Sequence, residues 1–453
     1  MIRPQAPEKS AYHSAFDAME RNGQSKTPPW LRDIKRQAMD RFSELGFPVA
    51  RRDNEEWKYT DVAPIAHTQF NIPTSTPSLT SSEIEAFTLG EGRWRTLVFV
   101  DGFYSKKLSS VVNVPSGVIV SDLAEALGTQ NDLLREHLTR HAGYEHQAFT
   151  SINTALVNHG ALVYVHENLS LPHPIHCLFI NSGRQPDSLS NPRVLVVTGK
   201  DSKAMVIESH VGLYGGRYFS NAVSEVVVGA GSSVQHYRLQ RHSLGAYHVG
   251  TTQVELGENA SFHSVTLDLG GALVRNNLNV VIASEGSSCT LNGVYIASGT
   301  QHIDNQVIID HAKPHTTSRE LYKGVLGGKS RAVFHGSIIV RPGAQKVDAR
   351  QEDKNLLLSP QAEAFTKPAF WIYADDVKCG HGAASGQLDK DALFYLQSRG
   401  LSQDVARHLL IQGFIGEVID SIAHDEFKKS ASEMVTERLM VELMESKVTE
   451  LRQ

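Results

Sequence analysis

The feature that most limits how this chain can fold is a turn that comes back at a nearly constant interval. Gly199-Lys200-Asp201-Ser202, Gly229-Ala230-Gly231-Ser232, Gly257-Glu258-Asn259-Ala260 and Ser284-Glu285-Gly286-Ser287 each follow a β-branched run and precede another. Their starts lie 30, 28 and 27 residues apart, and a similar turn stands at Gly327-Gly328-Lys329-Ser330. Strands punctuated at one period, with no helix between them, are the mark of a solenoid. Small residues let the backbone turn at each corner, while Val, Ile and Leu stack coil on coil inside. A β-sandwich also has many short strands, but nothing in it demands the same turn at a fixed interval. The pattern therefore predicts a mainly β fold: a right-handed parallel β-helix over residues 93–388, with the serine-containing turns stacked at one corner.

The flanks read differently. In residues 1–92, Tyr12, Phe16 and Met19 recur at helical spacing before Asn22-Gly23. A second helix starts at Thr27-Pro28-Pro29, carries Leu31, Ile34, Ala38, Phe42 and Leu45, and stops at Gly46. The charged stretch 51–59 reads as a solvated loop that Trp57 and Tyr59 pin to the next domain, or as a docking surface for a partner. A helical insert is expected near 121–159. Residues 389–453 turn helical again. Ser402 is the cap of a helix with the stripe Ala406, Leu409, Leu410, Gly413 and Phe414, and a last helix carries Met440, Leu443, Met444, Val448 and Leu451. Part of this tail is expected to cap the solenoid or to bind another protein.

Composition excludes several functions. A net charge of −5 leaves no basic excess to neutralise phosphates, so no nucleic-acid partner is expected. No run approaches a membrane span, and the N-terminus has no apolar signal core, so a cytoplasmic protein without membrane attachment is expected. Cys177, Cys289 and Cys379 are odd in number and far apart, which suits a reducing compartment rather than a disulfide framework.

Chemistry concentrates at Cys379-Gly380-His381. On an extended strand, residues two apart project to one side, so the thiol and imidazole form a donor pair suited to iron or zinc. Spacing alone favours a buried Cys beside a hydrogen-bonded His. Two donors do not close a tetrahedral site, so distant residues or another polypeptide must complete it. The other histidines point elsewhere. His173 and His176 flank Pro174 in a rigid loop. Asp310-His311 with His315 lacks both the helix and the glutamate of a zinc protease. Cys289, just past a corner, reads as a small core residue.

The strings NLLLS (355–359), DDVKCGHGA (375–383) and LFYLQSRG (393–400) resemble the SufB/SufD family of iron–sulfur cluster assembly scaffolds. YKGVL (322–326), FHGSIIV (334–340), GAQKVDARQEDKNLLLS (343–359) and the early RRDNEEWKYTDV (51–62) extend the likeness, mostly over the last third of the chain. The HGA after Cys379 and the small number of cysteines resemble the SufD type. Leu396 stands where a SufB-type chain is expected to carry a further cysteine. The resemblance implies a β-helix and a non-catalytic scaffold subunit. It implies His381 and Cys379 as metal-binding residues for transient iron or an iron–sulfur cluster, shared with a SufB-type paralogue. It also implies a SufC-type ATPase docked on the C-terminal helical region, near 389–420, with a homodimer possible for the isolated chain. The chain has no phosphate loop of its own and no flavin fingerprint, so ATP hydrolysis falls to the partner and no flavin is assigned. An imidazole of ordinary pKa, about 6.5, binds iron at neutral pH with little proton competition. A thiol of ordinary pKa, about 8.5, is mostly protonated there, and the Asp375-Asp376 pair is expected to hold it so. Two other classes fit a β-helix: a purely architectural solenoid, and a carbohydrate-active enzyme such as a lyase. The enzyme is disfavoured by the missing signal core and the reducing-type cysteines.

Overall fold

The computed structural model describes residues 11–23, 27–75 and 77–450. Among these, the strands run from Arg95 to Gly386 and fall into two ten-stranded sheets. Through the middle of the chain each coil gives one strand to each sheet. The first sheet takes Tyr218–Val228, Tyr247–Leu256, Leu273–Ile282, His302–His311, Arg331–Val340 and Glu363–Ile372. The second takes Lys203–Gly212, Ser233–Arg241, Ser261–Asp268, Ser288–Ala297, Thr317–Leu326, Asp348–Leu357 and Lys378–Gly386. Every one of these neighbours pairs in parallel. The protein is a parallel β-solenoid of about eight turns with helices at both ends of the chain.

The corners explain the repeat. Asp201, Gly231, Asn259 and Gly286, each the third residue of its turn, have φ of 53°, 67°, 53° and 72°. Gly and Asn or Asp tolerate this left-handed backbone best. The serines then lock coil to coil: Ser232 Oγ accepts from Ser202 N (2.9 Å) and donates to the Gly199 carbonyl (2.5 Å). Ser287 Oγ donates to the Gly257 carbonyl and accepts from Ala260 N. The Gly327 turn is a correction to the expected stack. It leads from the second sheet to the first, and so lies at another corner of the coil. The next member of the stack is Lys313-Pro314-His315-Thr316, where His315 takes the left-handed position with φ 58°.

Helices cover both outer faces. Pro29–Leu45 and Ala148–Leu156 pack on the first sheet, with Phe42, Phe149 and Ile152 around Phe219 and Val249. Leu31, Ile34, Ala38 and Phe42 are buried as the spacing predicts. Leu123–Thr129 and Asn131–His137 complete the helical insert. It is tied down by Glu225, whose wholly buried carboxylate accepts from Arg193 (2.5 Å) and from the backbone N–H of Thr139, His141 and Ala142. The C-terminal helices Gln403–Asp420 and Asp425–Glu450 lie flat on the second sheet. The buried face of Gln403–Asp420 is Ala406, Ile411, Ile415, Val418 and Ile419, not the expected stripe, of which only Ala406 is buried. The sheet decides the helix rotation, and a helix whose apolar residues are spread over several faces does not reveal it. The side chains of Leu443, Met444 and Val448, and all of Leu451, lie outside the described residues. Among the described residues, no helix is long and apolar enough to cross a membrane.

Segment 51–60 is a strap on the outer face of the first sheet. Trp57 is buried beneath the Arg275 guanidinium, 3.7 Å from the ring centroid. Tyr59 stacks on Phe365 (4.7 Å, 18°), and Lys367 Nζ donates to Glu55 (2.6 Å).

Candidate functional site

The two sheets end at Glu363–Ile372 and Lys378–Gly386, and among the described residues no further strand pairs with either one. This leaves one end of the solenoid open, with two rows of unpaired backbone groups. Apart from half-buried Cys379, the whole of Lys378–Gly386 is exposed. Trp371 and Tyr373 are exposed beside it. A bare sheet edge of this length is a template for pairing with another chain.

Cys379 and His381 both stand on this terminal strand, and their columns through the ladder show where they point. Cys379 follows Ala349, Ser318 and Cys289 at one register. Cys289 belongs to the core inside the solenoid, and Cys379 packs against Ala349, Val347 and Ile338. His381 follows Gln351 and Glu320, both buried. The thiol and imidazole therefore share the inward side, as alternation along a strand requires, and are reached from outside only through the open end. The ring of His381 leans on Phe370 of the opposite sheet, with centroids 4.5 Å apart at 49°.

Partial burial pushes the Cys379 thiol up; the Ala349 backbone N–H opposes this and the charge of Asp348 adds to it. The carboxylate acting on the thiol is thus Asp348, one strand away, and not the Asp375-Asp376 pair. Asp376 instead ion-pairs with Lys346 at the corner. The other two cysteines are buried inside the solenoid, where burial pushes both thiols up and keeps them protonated.

The remaining histidines do not join the pair. His176 is buried and bonded to Ser209 (2.8 Å), and burial pushes it down to about 3, whereas His173 is exposed. His311 sits on a strand, bonded to Thr316 (2.7 Å) and Ser318 (2.9 Å), and His315 sits in a corner. Neither is on a helix. Among the described residues no group of three or more His, Cys, Asp or Glu side chains could hold a metal ion. Among the described residues the donor set at the open end stops at two. Sequence reasoning missed Phe370 and Gln351, which touch or neighbour His381 from strands some ten and thirty residues away. The aromatic run 370–373 just before the Cys-Gly-His triplet was the available signal.

Taken together, the fold and the site define a parallel β-solenoid that carries a thiol and an imidazole side by side on a terminal strand whose outer edge is unpaired. Comparison with known proteins places that description. Residues 179–414 match the SufBD core domain of the SUF system for FeS cluster assembly, and residues 6–177 match the SufBD protein N-terminal region. The chain belongs to the SufBD family, whose members take part in iron–sulfur cluster assembly. It is 34% identical over 400 residues to an iron-sulfur cluster assembly SufBD family protein of Synechocystis, spanning 86% of this chain and 87% of that one. It is 28% identical to the iron-sulfur cluster assembly protein SufD of Escherichia coli, over 94% and 96% of the two chains. The chloroplastic protein ABCI7 of Arabidopsis thaliana is 31% identical over 85% and 82%.

Proposed function

We propose that this chain is a non-catalytic subunit of a cluster assembly scaffold, and that His381, with Cys379 beside it, meets iron or the nascent cluster at an interface with a SufB-type paralogue. The observation that carries this reading is the placement of the pair. Two donors face the mouth of the solenoid, on a strand whose outer edge is unpaired, with no third protein donor near them among the described residues. A second chain that extends the sheets would bring the missing ligands and cover the open end together. Iron is the cargo here, and a cluster held by few ligands from each side can be built and handed on more easily than one held by four cysteines.

His381 is the principal ligand in this reading. Its ring is exposed at the mouth, whereas burial and Asp348 hold the Cys379 thiol protonated. A SufC-type ATPase would dock on the C-terminal helices. Their support for that role is an apolar surface facing solvent, with Phe394 72% and Tyr395 56% exposed and Val405 and Leu409 near them in sequence. The test is anaerobic co-expression with both partners, followed by iron and sulfide analysis. His381→Ala should fold, assemble and lose most of the cluster, and Cys379→Ser should lose less. An unchanged cluster yield in His381→Ala would leave this chain an architectural solenoid.

A further inference from the structure

We propose that the interior of the solenoid binds ordered water, in a cavity between Arg238, Asn276 and Asn305, as a built part of the fold. The site lies inside the coils, shares no residue with the open end, and does not depend on the ligand reading of His381.

The cavity follows from side-chain lengths. His236 and Arg238 on the strand Ser233–Arg241 pair in register with Ser264 and Thr266 on the next strand of the same sheet. Side chains at equal register project to one face, so two long residues stand beside two short ones. The next residue in the Thr266 column, Gly293, has no side chain at all. The opposite sheet contributes Asn276 and Asn305, and the space left between the two sheets is about 10 Å³. That is room for about one water molecule.

Its wall carries amides that the protein leaves half paired. Asn276 and Asn305 are 4% and 1% exposed. Asn276 Nδ2 donates to Asp268 Oδ2 (2.7 Å) and to Asn305 Oδ1 (2.9 Å). Among the described residues, Asn276 Oδ1, Asn305 Nδ2 and Asp268 Oδ1 have no hydrogen-bond partner. Turning either amide over does not help. It would set the Asn276 oxygen against the Asp268 carboxylate, or the Asn305 nitrogen against the Asn276 nitrogen. A buried donor and two buried acceptors within one bonded trio call for a molecule that both donates and accepts. Arg238 in the same wall repels a cation, and the Asp268 carboxylate held by Asn276 repels an anion. A neutral molecule of water's size meets both conditions. An apolar void stays dry, whereas a polar one that offers partners is hydrated.

The experiment is a crystal structure of the full chain at a resolution that defines single waters, paired with ¹⁷O relaxation dispersion of the protein in solution. A fully occupied water within hydrogen-bonding distance of Asn276 Oδ1 or Asn305 Nδ2 is expected. Asn305→Leu removes the free donor and fills the space, while leaving Asn276 bonded to Asp268. It should lower the dispersion amplitude by the equivalent of one long-lived water. An empty cavity in the wild type would overturn the proposal even if Asn305→Leu failed to fold. So would an ion at the site, identified by anomalous scattering, or an unchanged amplitude in a folded Asn305→Leu protein.

Discussion

Replacing Arg275 with leucine should loosen the strap that holds the outer face of the solenoid beside the site. Arg275 is wholly buried, and its guanidinium donates to the Glu56 carbonyl (2.9 Å), Asp304 Oδ2 (2.7 Å) and Asn277 Oδ1 (3.0 Å) while lying over Trp57. Asp304 is buried as well, and without Arg275 it keeps only the Thr60 hydroxyl (2.5 Å) and the Gln306 amide (2.6 Å). Removing one member of a buried ion pair costs about 3–5 kcal/mol, because the other charge is left uncompensated. The lost contact with Trp57, about 2 kcal/mol when desolvated, puts the expected loss at the upper end of that range, since leucine refills part of the space. Urea unfolding measures the total. Hydrogen exchange should show segment 51–60 losing protection first, because what still ties it to the sheet is the Trp57–Phe149 contact, the Tyr59–Phe365 stack, the Thr60 hydroxyl and the exposed Glu55–Lys367 pair, none of them a buried charge on the strap. The same strap braces the strand Glu363–Ile372, which holds Phe370 against His381. Adding Asp304→Asn should recover much of the loss by removing the stranded charge. A single variant within about 1 kcal/mol of wild type, or a double variant no better than the single, would refute the reasoning.

Ser232→Ala should cost about 1–3 kcal/mol in urea unfolding, since it strands the buried Ser202 N–H at a stacked corner, while the Gly199 carbonyl keeps the Ser202 hydroxyl. Burial pushes the Glu320 carboxyl up to about 8, with the Gln351 N–H opposing and the Asp353 charge adding. Its folded pKa lies above its unfolded one of about 4.3, so the stability it contributes is complete below that value and is lost as pH rises toward 8. Glu320→Gln should therefore be more stable than wild type at pH 8 and match it near pH 4 in parallel urea titrations. Phe394→Ser with Tyr395→Ser should abolish co-purification with the ATPase while leaving the circular dichroism unchanged. Substitution is the cleaner probe, because truncation at 389 would strip Ile411, Ile415, Val418 and Phe427 from the second sheet.

The solenoid was legible because a left-handed corner needs Gly, Asn or Asp, and that need repeats with each coil. The same chemistry misled at Gly327, where an equally small turn serves the opposite connection, while the true next corner hid its left-handed residue as His315. The Cys379–His381 pair was legible because strand alternation puts residues two apart on one side. Its surroundings were not. Phe370 reaches His381 across the two sheets, and Asp348 acts on Cys379 through a ladder whose partners lie about thirty residues away, a register that composition and spacing do not state. The buried face of Gln403–Asp420 was misread for a related reason, since the sheet beneath the helix sets its rotation.

The most direct measurement of the central claim is pulsed electron paramagnetic resonance on the reduced cluster of the reconstituted complex, with ¹⁵N-histidine in this chain alone. The account predicts a strong nitrogen coupling from the labelled chain that disappears in His381→Ala. A fully formed cluster that shows no coupling to this chain's nitrogen would contradict it.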